Sequence, residues 1–158
     1  MAGPHAAGKA NLVENKSRAD DTRFAGFKVI VLDASVVVEL LTNGRLADSL
    51  RRDLAKRNDS FIVPHLLDVE LASALRRMVT GQRIDSHRME QLLAGLAMLP
   101  AERYAHTPLL TRIWELRHIF TCYDAAYIVL AEVTNSILYT CDVKLSKGHR
   151  ARVMVFTD

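Results

Sequence analysis

Val29-Ile30-Val31-Leu32-Asp33-Ala34-Ser35 is the stretch that decides how this chain is read. Four branched apolar residues run into one carboxylate and then into a small hydroxyl residue. A short apolar run closed by a polar break is the pattern of a strand buried on both faces, as in a parallel sheet. Asp33 then stands at the carboxyl end of that strand, where open α/β sheets bind their ligands. An acid in such a place costs desolvation energy unless something positive meets it. The rest of the chain must therefore supply what Asp33 faces.

Working outward, Phe27 to Leu32 reads as the first strand. Ser35 is expected to cap a short helix through Val36 to Leu41, stopped at Thr42-Asn43-Gly44. Leu46, Leu50 and Leu54 give Arg45 to Arg57 one apolar stripe and a basic outer face. Asn58-Asp59-Ser60 reads as a turn and Phe61 to Val63 as a second buried strand. Pro64 is expected to open a long helix that ends near Gly81. Ser86 to Leu99 reads as a helix whose leucine strip lies in the core or at a contact surface. Pro100 ends it, and a short strand is expected over Glu102 to Ala105. Pro108 begins a helix in which Trp114, Leu110, Ile113 and Leu116 are expected in the core. Thr121 is expected to cap the helix Tyr123 to Val133. Ile137 to Thr140 and Val153 to Phe156 read as the last strands. Strands that alternate with helices predict an α/β layer fold with a mostly parallel sheet.

The 158 residues suit one domain with one core, and 49% hydrophobic with 25% charged is an ordinary globular balance. No apolar run approaches membrane-spanning length, and the first residues hold no apolar signal segment. Cys122 and Cys141 form no CxxC and no zinc pattern, so a reduced cytoplasmic protein with two inert buried thiols is expected. The net charge of +3 is compatible with a polyanionic partner without demanding one. Residues 1–26 have the composition of a flexible extension, and 27–158 that of the domain.

Four acids fall at strand ends or near helix starts. Glu70 sits on a helical strip whose neighbours are Leu66, Leu67, Ser73 and Ala74, while Asp68 falls on another face and is expected to be solvated. Asp124 lies in the first turn of its helix, and Asp142 follows the strand Ile137 to Thr140 as Asp33 follows the first. Singly, each has a plain reading as a turn residue, a helix-start acid or an arginine partner. Together they would repel one another and raise each other's pKa, so keeping them ionised calls for a cation. Oxygen ligands alone select Mg²⁺ or Mn²⁺ over zinc.

These residues resemble the PIN-domain ribonucleases, and among them the toxins of VapBC toxin–antitoxin pairs. The resemblance rests on Val31-Leu32-Asp33-Ala34-Ser35, Val69-Glu70-Leu71-Ala72-Ser73-Ala74-Leu75, Tyr123-Asp124-Ala125-Ala126-Tyr127 with Leu130-Ala131-Glu132, and Leu138-Tyr139-Thr140-Cys141-Asp142 with Leu145. It covers roughly Lys28 to Phe156. It implies a three-layer α/β/α PIN fold, with Asp33, Glu70 and Asp124 as catalytic metal-binding acids and Asp142 as a fourth of more variable role. Ser35 and Thr140 match hydroxyls that line the site. The implied activity is hydrolysis of RNA phosphodiester bonds with Mg²⁺ (or Mn²⁺), which activates water and neutralises phosphate charge. The implied partners are the RNA, a VapB-type antitoxin that covers the acids, and a second copy in a homodimer or larger assembly. The family usually begins at its first strand, so the N-terminal extension departs from the pattern.

If the acids form a nuclease site, some cations must track the RNA backbone. Arg117, Lys144, Lys147 and Arg150 are the candidates, the last three close in sequence to Asp142. The histidines include no metal pair at spacing four, and neither GxSxG nor GxGxxG occurs. Two other functions stay open: a PIN nuclease of RNA maturation or decay, and a non-catalytic module that binds a basic peptide in the acidic pocket.

Overall fold

The computed structural model describes residues 29–157. The expected extension, and Phe27 and Lys28 of the expected first strand, lie outside the described residues. Strand β1 (Val29–Leu32) leads to helices α1 (Ala34–Thr42) and α2 (Ala47–Ala55). Strand β2 (Ser60–Pro64) leads to α3 (Leu66–Thr80) and α4 (Ser86–Ala97). Strand β3 (Ala101–Tyr104) leads through a 3-10 turn at Thr107–Leu109 to α5 (Leu110–Glu115) and α6 (Cys122–Val133). Strand β4 (Ile137–Thr140), a 3-10 turn at Val143–Ser146 and strand β5 (Arg152–Val155) complete the order.

The sheet order is β3-β2-β1-β4-β5, and every neighbouring pair is parallel. Val31 at the centre lies beside Ile62 on one side and Leu138 on the other. From β1 the chain steps to β2 and β3 in one direction, then jumps back across β1 to β4. Right-handed crossovers therefore put α1 to α4 on one face and α5 with α6 on the other. The order reverses between β1 and β4, and that switch point is where an α/β sheet opens a crevice at its carboxyl ends.

Burial explains the strands. Val29 to Leu32 is buried throughout because both faces of β1 are covered. Helix α6 is buried from Ala125 to Ala131, apolar all round because it packs against β1, β2, β4 and α5. In α3 only Leu67, Leu71 and Leu75 are fully buried, one stripe at spacing four. Leu92 and Leu96 of α4 are buried too, so the core takes much of that leucine strip.

Several local expectations shift. The cap of α1 is Asp33, whose side chain accepts from Ala34 N–H, and not Ser35. Ser60 belongs to β2, and Pro64 closes that strand instead of opening α3. Asp68 pairs with Arg103 of β3 at 3.1 Å and is not simply solvated. Trp114 is 62% and Leu110 51% exposed, while Ile113 and Leu116 are buried. Helix α5 is only six residues long and turns a single stripe inward, which leaves the tryptophan outside. Cys122 is exposed, Cys141 is half-buried, and both are free thiols.

Thr121 does cap α6: its Oγ1 accepts from Asp124 N–H at 3.1 Å. Thr121→Ala is expected to cost about 1 kcal/mol of stability, read as a lower midpoint in urea. An unchanged midpoint would mean the cap contributes nothing.

Candidate active site

Asp33 leaves the central strand β1 in extended geometry, with φ −72° and ψ 154°, and its carboxyl caps α1. Its Oδ1 accepts from Ala34 N–H at 2.8 Å. Its Oδ2 accepts from the Ser35 hydroxyl at 2.5 Å and from the Thr140 hydroxyl at 2.8 Å. Each hydroxyl in turn accepts a backbone N–H, Ser35 from Cys141 and Thr140 from Asp142, both at 3.0 Å. The end of β4 thus holds both hydroxyls with their protons directed at Asp33. Asp33 is only 7% exposed. Burial pushes its carboxyl above the usual range, the hydroxyls and Ala34 N–H offset part of that, and the charge of Asp124 adds to it.

Glu70 projects from α3, and its Oε2 accepts from the Tyr127 hydroxyl of α6 at 2.5 Å. Burial also raises this carboxyl, the Tyr127 bond lowers it, and Asp33 and Asp124 both push it up again. Tyr127 is buried, and burial together with Glu70 raises its hydroxyl far above the ordinary tyrosine range. It therefore remains a donor at any working pH. Asp124 stands in the first turn of α6, where its Oδ2 accepts from Thr121 Oγ1 at 2.8 Å.

Asp33, Glu70 and Asp124 are thus close enough for their charges to act on one another. Among the described residues no Lys, Arg or His forms an ion pair with Asp33 or Glu70. Asp142 is placed differently. It caps the 3-10 turn by accepting from Lys144 N–H at 2.9 Å, and it reaches the site through its own N–H on Thr140.

The donors are oxygens only, the set that suits Mg²⁺ or Mn²⁺. Neighbouring acids without a paired cation, Asp33 buried and Glu70 and Asp124 half-buried, are what a divalent ion would complete. As the side chains stand, no three His, Cys, Asp or Glu among the described residues are gathered tightly enough to hold an ion. Glu70 and Asp124 are each drawn to a hydroxyl of α6 or its cap.

The family profile described as PIN domain matches residues 30–149. The chain belongs to the PIN domain family. Among curated relatives of this PIN domain is ribonuclease VapC9 of Mycobacterium tuberculosis, 37% identical over 124 residues, covering 78% of this chain and 94% of that one. Ribonuclease VapC1 of the same organism is 38% identical over 117 residues, covering 73% and 87%. Among solved structures, VapBC2 from Rickettsia felis, bound to a DNA fragment from their promoter, superposes with a TM-score of 0.60 at 16% identity. That match covers 82% of this chain and 99% of the other. The sarcin-ricin-loop-cleaving toxin VapC20 of Mycobacterium tuberculosis also gives 0.60, at 17% identity, over 74% and 92% of the two chains. At such identities these two likenesses speak for the fold alone.

The basic candidates of this PIN domain occupy different neighbourhoods. Arg117 stacks over the Trp114 ring at 4.8 Å and donates to the Trp114 carbonyl. Lys144 and Lys147 lie exposed in and after the 3-10 turn that Asp142 caps. Arg150 donates its backbone N–H to Glu132 Oε1 at 2.8 Å. Glu132 lies eight residues beyond Asp124 on α6, about 12 Å along the helix axis. Sequence reading placed Tyr127 only as a neighbour of Asp124. Its signal was a hydroxyl inside an otherwise apolar helix, a buried donor that needs an acceptor.

Proposed function

We propose that this chain is a metal-dependent endoribonuclease of the VapC type, held silent by a VapB-type antitoxin. One observation carries the proposal. Asp33 and Glu70, two burial-raised acids, lie within electrostatic reach of each other and of Asp124 on a parallel sheet with a switch point beside β1, and among the described residues neither forms an ion pair with a cationic side chain. The relatives' printed names, ribonucleases VapC9 and VapC1, support the same reading.

In this reading Asp33, Asp124 and Glu70 would hold Mg²⁺ or Mn²⁺, with Asp142 at the margin. When bound, the ion supplies a more acidic water and charge neutralisation on the scissile phosphate. The chain's own residues do the rest. Ser35 and Thr140 fix the Asp33 carboxylate, so its lone pairs point to one place. Tyr127 orients Glu70 and leaves Glu70 Oε1 for a water proton. Lys144 and Lys147 stand on the Asp142 side, where they can meet the RNA backbone.

The nuclease reading is tested with purified chain, freed of antitoxin and treated with a chelator. Cleavage of total RNA is expected to vanish on chelation and return with Mg²⁺ or Mn²⁺. Failure of either ion to bind or to restore cleavage would sink it. The antitoxin is identified by what co-purifies with the chain from its own cells, and adding it back is expected to stop cleavage.

A further inference from the structure

Between Asp142 and β5 the chain exposes Lys144 and Lys147, in and just after the 3-10 turn. Among the described residues neither lysine forms an ion pair. A surface loop of this kind is ordinarily mobile. This one is fastened by His149. The Nε2 of His149 donates to the Leu145 carbonyl at 2.7 Å, and its Nδ1 accepts from Ala151 N–H at 3.1 Å. The backbone of the loop thus uses both ring nitrogens, which fixes one tautomer, with the proton on Nε2.

The same ring packs on Phe120, with centroids 5.6 Å apart. Gly148 permits that approach. Its φ of +90° disfavours a side chain, and a Cβ there would stand 3.2 Å from Ile119 and 3.3 Å from Phe120. Arg150 N–H, donating to Glu132 of α6, ties the loop down once more.

The two ends of this fastening serve different acids. Phe120 immediately precedes Thr121, which caps α6 and donates to Asp124. The loop itself starts at Asp142, whose N–H donates to Thr140 Oγ1, and Thr140 donates to Asp33. His149 therefore joins the segment behind Asp33 to the segment behind Asp124, and the two lysines ride on that join. Cations held in place meet phosphates without first losing the entropy of an ordering loop.

Resting on the nuclease reading, we infer that His149 is a positioning residue for RNA. It holds Lys144 and Lys147 as one preset pair of backbone contacts beside the acids. It acts through the loop, so its effect is visible only through the lysines.

Binding of a single-stranded oligoribonucleotide to the full chain is read by anisotropy with chelator present, where no cleavage interferes. In wild type, Lys144→Ala combined with Lys147→Ala should weaken binding roughly 10- to 30-fold at about 0.1 M salt, and should flatten the salt dependence of log K by about 1.4. In the His149→Ala background the same lysine changes should cost less than about 5-fold, because the two sites are coupled. Gly148→Ala should have the same consequence as His149→Ala, since it displaces the same ring contact. Nitrogen NMR of labelled wild type at about pH 8 should show the His149 proton on Nε2, with the signals assigned by their loss in His149→Gln.

Equal losses from the lysine changes in wild type and in His149→Ala overturn the inference. So does a lysine pair whose removal costs nothing in wild type. Both results leave the nuclease reading standing. A ring with its proton on Nδ1, or averaging between tautomers, also overturns the inference, and this measurement decides the matter where His149→Ala fails to fold. RNA neither bound nor cut by wild type removes both readings together.

Discussion

Asp33→Asn is expected to lose RNA cleavage by about 10² to 10³-fold, read as initial rates on one oligoribonucleotide with Mn²⁺ present. The size follows from losing several kcal/mol of charge stabilisation at the reacting phosphate, at roughly 1.4 kcal/mol per factor of ten. Asn keeps the volume of Asp and one oxygen for the Ala34 N–H or the hydroxyls of Ser35 and Thr140, so the fold should survive. A second readout separates lost ligation from unfolding. Divalent ion at a hundred times its dissociation constant should stabilise wild type by about 2.7 kcal/mol and leave Asp33→Asn unmoved. A variant that still cleaves at the wild-type rate would remove Asp33 from the chemistry.

Glu132→Gln is expected to be the costliest single polar change to stability, about 2 to 3 kcal/mol. Glu132 accepts from Arg112 Nε at 2.9 Å and Nη2 at 3.1 Å, and from Arg150 N–H at 2.8 Å. Its side chain is 6% exposed and that of Arg112 26%, so water cannot replace what the carboxylate provides. The amide would set an N–H against a guanidinium that has only N–H groups to offer. Arg112 also meets Glu115 of its own helix at 2.9 Å, which keeps part of its pairing and places the loss below that of an isolated buried pair.

The pH dependence identifies the mechanism. Burial alone would raise the Glu132 carboxyl, but Arg112 and the Arg150 N–H more than offset it and hold it below the usual range. A carboxyl lowered in the folded state adds stability that is complete above its unfolded pKa and is lost as pH falls through the folded one. The gap between wild type and Glu132→Gln should therefore be full at pH 7 and close below about pH 4. Urea melts at several pH values measure it. A gap that persists unchanged at low pH would assign the loss to packing and not to charge.

Much of this protein is legible in order along its chain. The run into Asp33 marks β1 because apolar content and a polar stop are local properties. The Thr121 cap and the alternation of strands with helices are local in the same way. Asp33 and Thr140 are recognisable as strand-end residues for that reason, and Glu70 as an acid on an apolar strip. Trp114 was misread because spacing shows which residues share a stripe but not how wide a stripe a six-residue helix can bury. Asp68 was misread because its partner, Arg103, is 35 residues away on strand β3.

By itself the sequence determined the parallel α/β class, the family, and the set of acids offered at strand and helix ends. Hydrophobic period and turn chemistry act over a few residues, so they can be read without coordinates. Only the tertiary structure decided the partners. It set the Thr140 hydroxyl on Asp33 across 107 residues and the Tyr127 hydroxyl on Glu70 across 57. It spent Arg112 on Glu132 and left Trp114 and Tyr123 facing outward. Those pairings depend on which strand lies beside which, and that is settled by crossover handedness and the packing of distant apolar faces, forces that no short stretch of chain contains.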